Sequence, residues 1–343
     1  MTDSPYAHYS TPDPEYTALL ATFPESEPQD PNDIVAGRQA LDAVIAMNRE
    51  AAQDQLPDPS SYAIVDHRVP VADGTAHILI RTITPTANKP STFPLLYWTH
   101  GGGFIMGTVE MSQDTLTRRS VELQIAVAIV EYRLAPEHPH PIPVTDCFEG
   151  LKWVVTNAGS FGADISKGFI IAGDSAGANL TAVVSHLMRD DPFFQGKQPS
   201  GQVLQIPCIV DPRSYPEKYK AELRSLDTVQ VQGFNKQIIC DIYAKHLKNP
   251  PEDPTASPLL FSSHADIPPT FFQVAGLDGL RDEGLLYEKV LRETGVKTKL
   301  HVYQGLPHGF FLFFPELGAS KKFDEDFRDG LVWLLNGHSA RPT

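Results

Sequence analysis

The chain has 343 residues, with 42 acidic against 28 basic side chains and a formal net charge of −14. That balance supplies no basic field to offset phosphate repulsion, which argues against nucleic acid and against stable association with an anionic membrane surface. Hydrophobic residues at 41% and charged residues at 20% fit a soluble globular protein, long enough to bury a full core around one large sheet with an insertion.

Residues 1–60 read as an N-terminal arm rich in Pro, Asp and Glu, with an acidic stretch, PESEPQDPND, expected to be solvated. Asp33 is placed to cap a helix whose apolar positions are Ile34, Val35, Leu41, Val44, Ile45 and Met47. From Tyr62, VDHRVPVADGTAHILIRTIT reads as two strands turning at Asp73-Gly74. FPLLYWTH and IAVAIVEYR are apolar runs of the kind that fill a sheet covered on both faces. Helical spacing follows at 114–123, 144–157 and 178–189, interleaved with strand patterns at GFIIAG and QVLQIPCIV. After a long gap come TFFQVAG, a helix over 282–293, KTKLHVYQ and a helix over 323–335. Strand and helix alternating in this way predict an α/β fold with a mostly parallel eight-stranded sheet flanked by helices.

The long gap divides the chain into a first core part at 61–210, an insertion at 211–265 and a second core part at 266–343. A connection of that length is either functional or a small subdomain. Ligands of open α/β sheets bind outside the carboxyl ends of the strands, so the insertion is expected to cap the site together with the arm. Cys147, Cys208 and Cys240 are too scattered for a disulfide framework and are expected to be buried thiols in a reducing compartment. The N-terminus carries no charged and apolar leader pattern, and no apolar run reaches the roughly 18 residues of a membrane span. A soluble cytoplasmic protein is expected.

The chemistry begins at GDSAG, where Ser175 stands between Gly173 and Gly177 at a strand-to-helix corner. A serine exposed on such a turn is a nucleophile elbow if the chain also supplies a base, an orienting acid and oxyanion donors. The donors are found in HGGGF, directly after the strand PLLYW: three consecutive glycines stabilise no strand and free the backbone amides to face a ligand. The expected hole consists of the N–H groups of Gly102, Gly103 and Ala176, with His100 holding the loop in shape. Of twelve histidines, His308 alone follows a strand's carboxyl end, through a Gly-Leu-Pro break, and precedes Gly309. His138, His140, His186 and His301 lie in a proline-rich loop, a helix and a strand. Asp278, three residues beyond the strand TFFQVA, is the expected orienting acid, with Asp282 and Glu283 as structural acids of the next helix. The order Ser175, Asp278, His308 is that of an α/β-hydrolase.

HGGGF, YRLAPEHPHP, GDSAG, DGLRDEG and HGF, in this order, resemble the hormone-sensitive-lipase-like family of α/β-hydrolases from Tyr62 onward. The resemblance implies the α/β-hydrolase fold with a helical cap. It also implies a catalytic triad of Ser175, Asp278 and His308, and an oxyanion hole at Gly102, Gly103 and Ala176. Where the family usually carries a further glycine after GDSAG, this chain has Ala178.

The expected activity is carboxylic ester hydrolysis through an acyl-enzyme, on small uncharged esters with short to medium acyl chains and with no cofactor or metal. A lactonase or acyltransferase using the same triad is the alternative. A non-catalytic ligand-binding protein on this fold is disfavoured because all three residues are present. A monomer or a homodimer is expected. Phe310, Phe311, Phe313 and Phe314 are expected to pack a helix into the core rather than line an acyl pocket. Arg133 and Glu137 are expected in structural ion pairs.

Overall fold

The computed structural model describes residues 4–23, 33–86, 92–229, 231, 234–248 and 252–339. Most of the acidic stretch PESEPQDPND, residues 24–32, lies outside the described residues. Within the arm, helix α1 is Pro14–Leu20, with the Asp13 carboxylate accepting from the amides of Glu15 and Tyr16. Helix α2 is Ile34–Ala51, and the Asp33 carboxylate accepts from the Ala36 amide at 2.9 Å, as its sequence position predicts.

The strands are β1 (Tyr62–Val71), β2 (Ala76–Pro85), β3 (Leu95–Thr99), β4 (Ala126–Glu131), β5 (Phe169–Asp174), β6 (Gly201–Gln205), β7 (Thr270–Leu277) and β8 (Thr298–Pro307). Helices α3 (Glu110–Leu123), α4 (Ile142–Asn157) and α5 (Ala176–Asp190) alternate with β3 to β6. The short α6 (Ser225–Thr228) and α7 (Lys236–His246) lie between β6 and β7, and α8 (Arg281–Glu293), α9 (Phe310–Phe313) and α10 (Gly318–Ser339) complete the chain. The sheet order is β1-β2-β4-β3-β5-β6-β7-β8. Strand β2 runs antiparallel to both β1 and β4, and every pairing from β4 to β8 is parallel.

Alternating side chains of the central strands feed two cores. Leu95 and Tyr97 pack with Leu151, Val154 and Leu180 of α4 and α5, whereas Leu96 and Trp98 pack with Leu116, Phe327 and Leu331 of α3 and α10. Both faces are covered, which is why β3 to β5 read as unbroken apolar runs.

The structure departs from the sequence reading at β8, which continues through the Gly305-Leu306-Pro307 expected to break it, at the end of β6, at helix starts and at one cysteine. Strand β6 ends at Gln205, short of the predicted run to Val210, because Ile206 takes φ +40° and Pro207 has no N–H for the ladder. Helices α3 and α10 begin at Glu110 and Gly318, ahead of the first residues that show apolar periodicity. Cys147 and Cys208 are buried, but Cys240 is only half-buried, standing beside the Ile239–Tyr243 face that α7 turns inward. No helix among the described residues is long and apolar enough to cross a membrane.

Candidate active site

Strand β5 is buried along its whole length and ends at Asp174. The next residue, Ser175, holds φ +51° and ψ −116°, a strained conformation for a residue with a Cβ. The turn is held by its neighbours. The Ser175 amide donates to the Gln205 carbonyl at 2.8 Å, and Thr99 Oγ1 donates to the Gly177 carbonyl at 2.7 Å. Gly177 has to be glycine, since a Cβ there would collide with the Thr99 and His100 carbonyls. The buried Asn179 side chain then ties α5 to the carbonyls of Cys208 and Ala256, at 2.9 and 3.0 Å.

Ser175, Asp278 and His308, distant in sequence, meet here. Ser175 Oγ lies 2.8 Å from His308 Nε2, and His308 Nδ1 lies 2.7 Å from Asp278 Oδ2. Asp278 follows β7, is 2% exposed, and accepts the Leu280 amide on its other oxygen at 2.9 Å. His308 follows β8, and Gly309, at φ +68°, turns the chain into α9.

The HGGG loop leaves β3 beside the elbow. The Gly101 amide donates to Asp174 Oδ1 at 2.9 Å, and the Gly102 carbonyl accepts from the amides of Ile105 and Met106. Gly102, at φ +105°, has no room for a Cβ against the Met106 carbonyl. Among the described residues, the amides of Gly102, Gly103 and Ala176 have no hydrogen-bond acceptor. Ala176 opens α5, so its N–H also sits at the positive end of a helix. His100 keeps the shaping role expected of it. It is fully buried, its Nδ1 faces the Gly101 carbonyl at 2.8 Å, and it stacks on Tyr132. Burial lowers its pKa to about 4, so the ring is neutral. Burial raises the Asp174 pKa to about 6, against the opposing pull of the Gly101 amide and the nearby His308.

The neighbouring acids Asp282 and Glu283 make other contacts. Asp282 Oδ2 accepts from the amides of Arg224 and Ser225 at 2.9 and 2.7 Å, and Glu283 accepts from the Ile209 amide at 2.6 Å. Both hold the segment after β6 and neither reaches His308. His301 pairs with Asp326, His140 with Asp253, and His186 with His264. Arg133 pairs with buried Asp146 at 2.7 Å.

Three contributors give no signal in sequence. Arg38 of α2 grips Glu137 with both nitrogens of its fork, at 2.9 and 2.8 Å, and donates to the carbonyls of Ile105 at 2.8 Å and Ala135 at 3.1 Å. That contact lowers the Glu137 pKa to about 2. Phe234, just before α7, stacks on His308 with ring centroids 4.2 Å apart. Ile242 of α7 sits over Gly103, 3.1 Å from where a Cβ would stand.

A cavity of about 520 Å³ lies between α2, α3 and the α9–α10 region, lined among others by Ile45, Asn48, Asp174, Gln205 and Phe311. It adjoins the elbow through Asp174 and Gln205, and its walls do not include Ser175 or His308. The phenylalanine run therefore splits. Phe310 is fully buried in the core, as expected, while Phe311 also faces the cavity and Phe313 is exposed. Among the described residues, no group of three or more His, Cys, Asp or Glu side chains converges as a metal site would require.

Comparison with known proteins shows the family of the chain. A family model described as alpha/beta hydrolase fold matches residues 96–312. An AB hydrolase superfamily protein of Schizosaccharomyces pombe is 32% identical over 326 residues, 94% of each chain. Esterase LipI of Mycobacterium tuberculosis is 32% identical over 283 residues, covering 81% of this chain and 85% of its own. Among solved structures, vibralactone cyclase superposes with a TM-score of 0.93 at 38% identity, covering 98% of each chain. With its fold, its five motifs and these relatives in agreement, the chain belongs to the hormone-sensitive-lipase-like family of α/β-hydrolase esterases.

Proposed function

We propose that this chain is a serine carboxylic ester hydrolase in which Ser175 is the nucleophile, His308 the general base and acid, and Asp278 the group that orients it. One observation carries the reading: the unbroken line from Ser175 Oγ through both nitrogens of His308 to buried Asp278. His308 takes the Ser175 proton as the hydroxyl attacks the ester carbonyl, and Asp278 fixes the tautomer and balances the imidazolium. The tetrahedral oxyanion is held by the Gly102, Gly103 and Ala176 amides, which have no competing acceptor among the described residues. Each such donor is worth about 3 kcal/mol in the transition state. His308 then protonates the departing alcohol, and water repeats the cycle on the acyl-enzyme.

In this reading residues 1–60 and 211–265 form the cap. Arg38 binds the carbonyl of Ile105 in the HGGGF loop, and Phe234 and Ile242 lie on His308 and Gly103. The net charge of −14 disfavours anionic substrates, and Phe234 and Ile242 crowd the space over His308 and Gly103, which together support uncharged esters with short to medium acyl chains. The enzyme is taken as cytoplasmic and as a monomer or homodimer.

A second reading, lactone formation or opening, or acyl transfer to an alcohol, is favoured by the likeness to vibralactone cyclase. All start from the same acyl-enzyme: water resolves it in ester hydrolysis and lactone opening, and a hydroxyl resolves it in lactone formation and acyl transfer. The test is turnover of p-nitrophenyl esters from acetate to dodecanoate by wild type and Ser175→Ala. The ester-hydrolase reading expects a maximum at short to medium chains and loss of at least about 10⁴-fold on substitution. No turnover at any chain length, with turnover of lactones or only with an added alcohol, would move the assignment to the second reading.

A further inference from the structure

His308 has both ring nitrogens engaged at its edge, by Ser175 and by Asp278, so further contacts fall to the faces of the ring. One face is covered by Phe234, with centroids 4.2 Å apart and planes 14° from parallel. Phe234 does not belong to the sheet or its connecting helices. It stands immediately before Asn235, whose side chain caps α7 in the segment between β6 and β7.

We infer that Phe234 is a positioning residue that stabilises the positive charge His308 acquires during turnover, so that the inserted segment contributes to the chemical step. The inference rests on the assignment of His308 as general base. To accept the Ser175 proton, the imidazole must start the step without a charge. As Oγ bonds to the carbonyl carbon, its proton passes to Nε2 and the ring becomes an imidazolium. When the alcohol leaves, that proton goes with it, and the same cycle runs with water in deacylation. The face of a benzene ring attracts a cation within about 6 Å of its centroid and offers much less to a neutral ring. The interaction is therefore stronger in the transition state than in the ground state, which is the condition for it to raise kcat rather than merely lower KM.

The test replaces Phe234 with 4-fluoro-, 3,4,5-trifluoro- and pentafluorophenylalanine. These keep the shape of the ring and progressively withdraw its face charge. Turnover of p-nitrophenyl butyrate is measured for each, beside Phe234→Trp, Phe234→Leu and Ser175→Ala. The expected result is a stepwise fall in kcat with fluorination, reaching roughly 3- to 30-fold, at nearly constant KM, with Phe234→Trp close to wild type. A kcat indifferent to fluorination, while Phe234→Leu is impaired, would reduce Phe234 to a packing residue and overturn the inference while leaving the ester-hydrolase reading intact. Turnover surviving in Ser175→Ala would instead overturn the triad and the inference with it.

Discussion

The elbow at Ser175 and the segment between β6 and β7 meet at one site by opposite means. The elbow is built from backbone. Its strand is buried, its strained residue is fixed by the Gln205 carbonyl, and Gly177 is pressed against the end of β3. Among the described residues, the segment meets the site with the side chains of Phe234 and Ile242. It is held to the core by Asp282 accepting two of its amides, by Ser225 Oγ donating to the Gly279 carbonyl at 2.7 Å, and by His246 stacked on Phe104. Geometry that must be kept to fractions of an ångström is set by main chain that few substitutions can move. The segment adds side chains from a loop and a short helix to that frame, laid over His308 and Gly103.

The largest expected difference between core and segment lies in two acids four residues apart. Asp278→Asn leaves His308 without its orienting carboxylate, and kcat should fall by about 10⁴-fold. Asp282→Asn removes an anchor of the segment and the carboxylate that balances the fully buried Arg281. Melting should report a loss of about 3 kcal/mol, while kcat of the folded protein stays within about tenfold of wild type. If the two variants lost activity equally, core and segment would not be separable in this way.

Next in size is Ile242→Ala, which opens space above Gly103. The ratio of kcat/KM for octanoate over acetate should shift by about tenfold, in line with the worth of a few methylenes in an apolar pocket. The shift should appear mainly in KM.

The smallest effect on activity, confined to stability, belongs to His246. It is buried, both its nitrogens lack partners among the described residues, and burial, with a smaller contribution from His140, lowers its pKa to about 3. A base whose folded pKa lies below its unfolded value of about 6.5 costs stability as the pH falls through that window. His246→Phe keeps an aromatic ring against Phe104 and removes the titration. It should leave stability at pH 8 little changed and raise it by about 2 kcal/mol at pH 5 relative to wild type, as measured by urea unfolding.

What the sequence made legible was chemistry that depends on local backbone. Glycines flanking Ser175, a glycine run after a buried strand, and an acid and a histidine just past the ends of β7 and β8 are signals a single chain can carry. Strand existence was equally readable, because a sheet covered on both faces demands apolar runs. Boundaries were less so. The polar first turns of α3 and α10 carry no periodicity, and β6 is cut short by Ile206 and Pro207 although the apolar run continues. Pairings made only by tertiary structure were invisible. Nothing in α2 announces that Arg38 will span 99 residues to Glu137, and Phe234 is one aromatic in a loop until the fold lays it on His308.

Whether Ser175 is the nucleophile can be read by labelling with a p-nitrophenyl alkylphosphonate, followed by peptide mass mapping and assay of the labelled protein. One phosphonyl group per chain is expected, carried on Ser175, with activity lost in proportion to labelling and no label in Ser175→Ala. A label on another residue, or full activity in protein phosphonylated at Ser175, would contradict it.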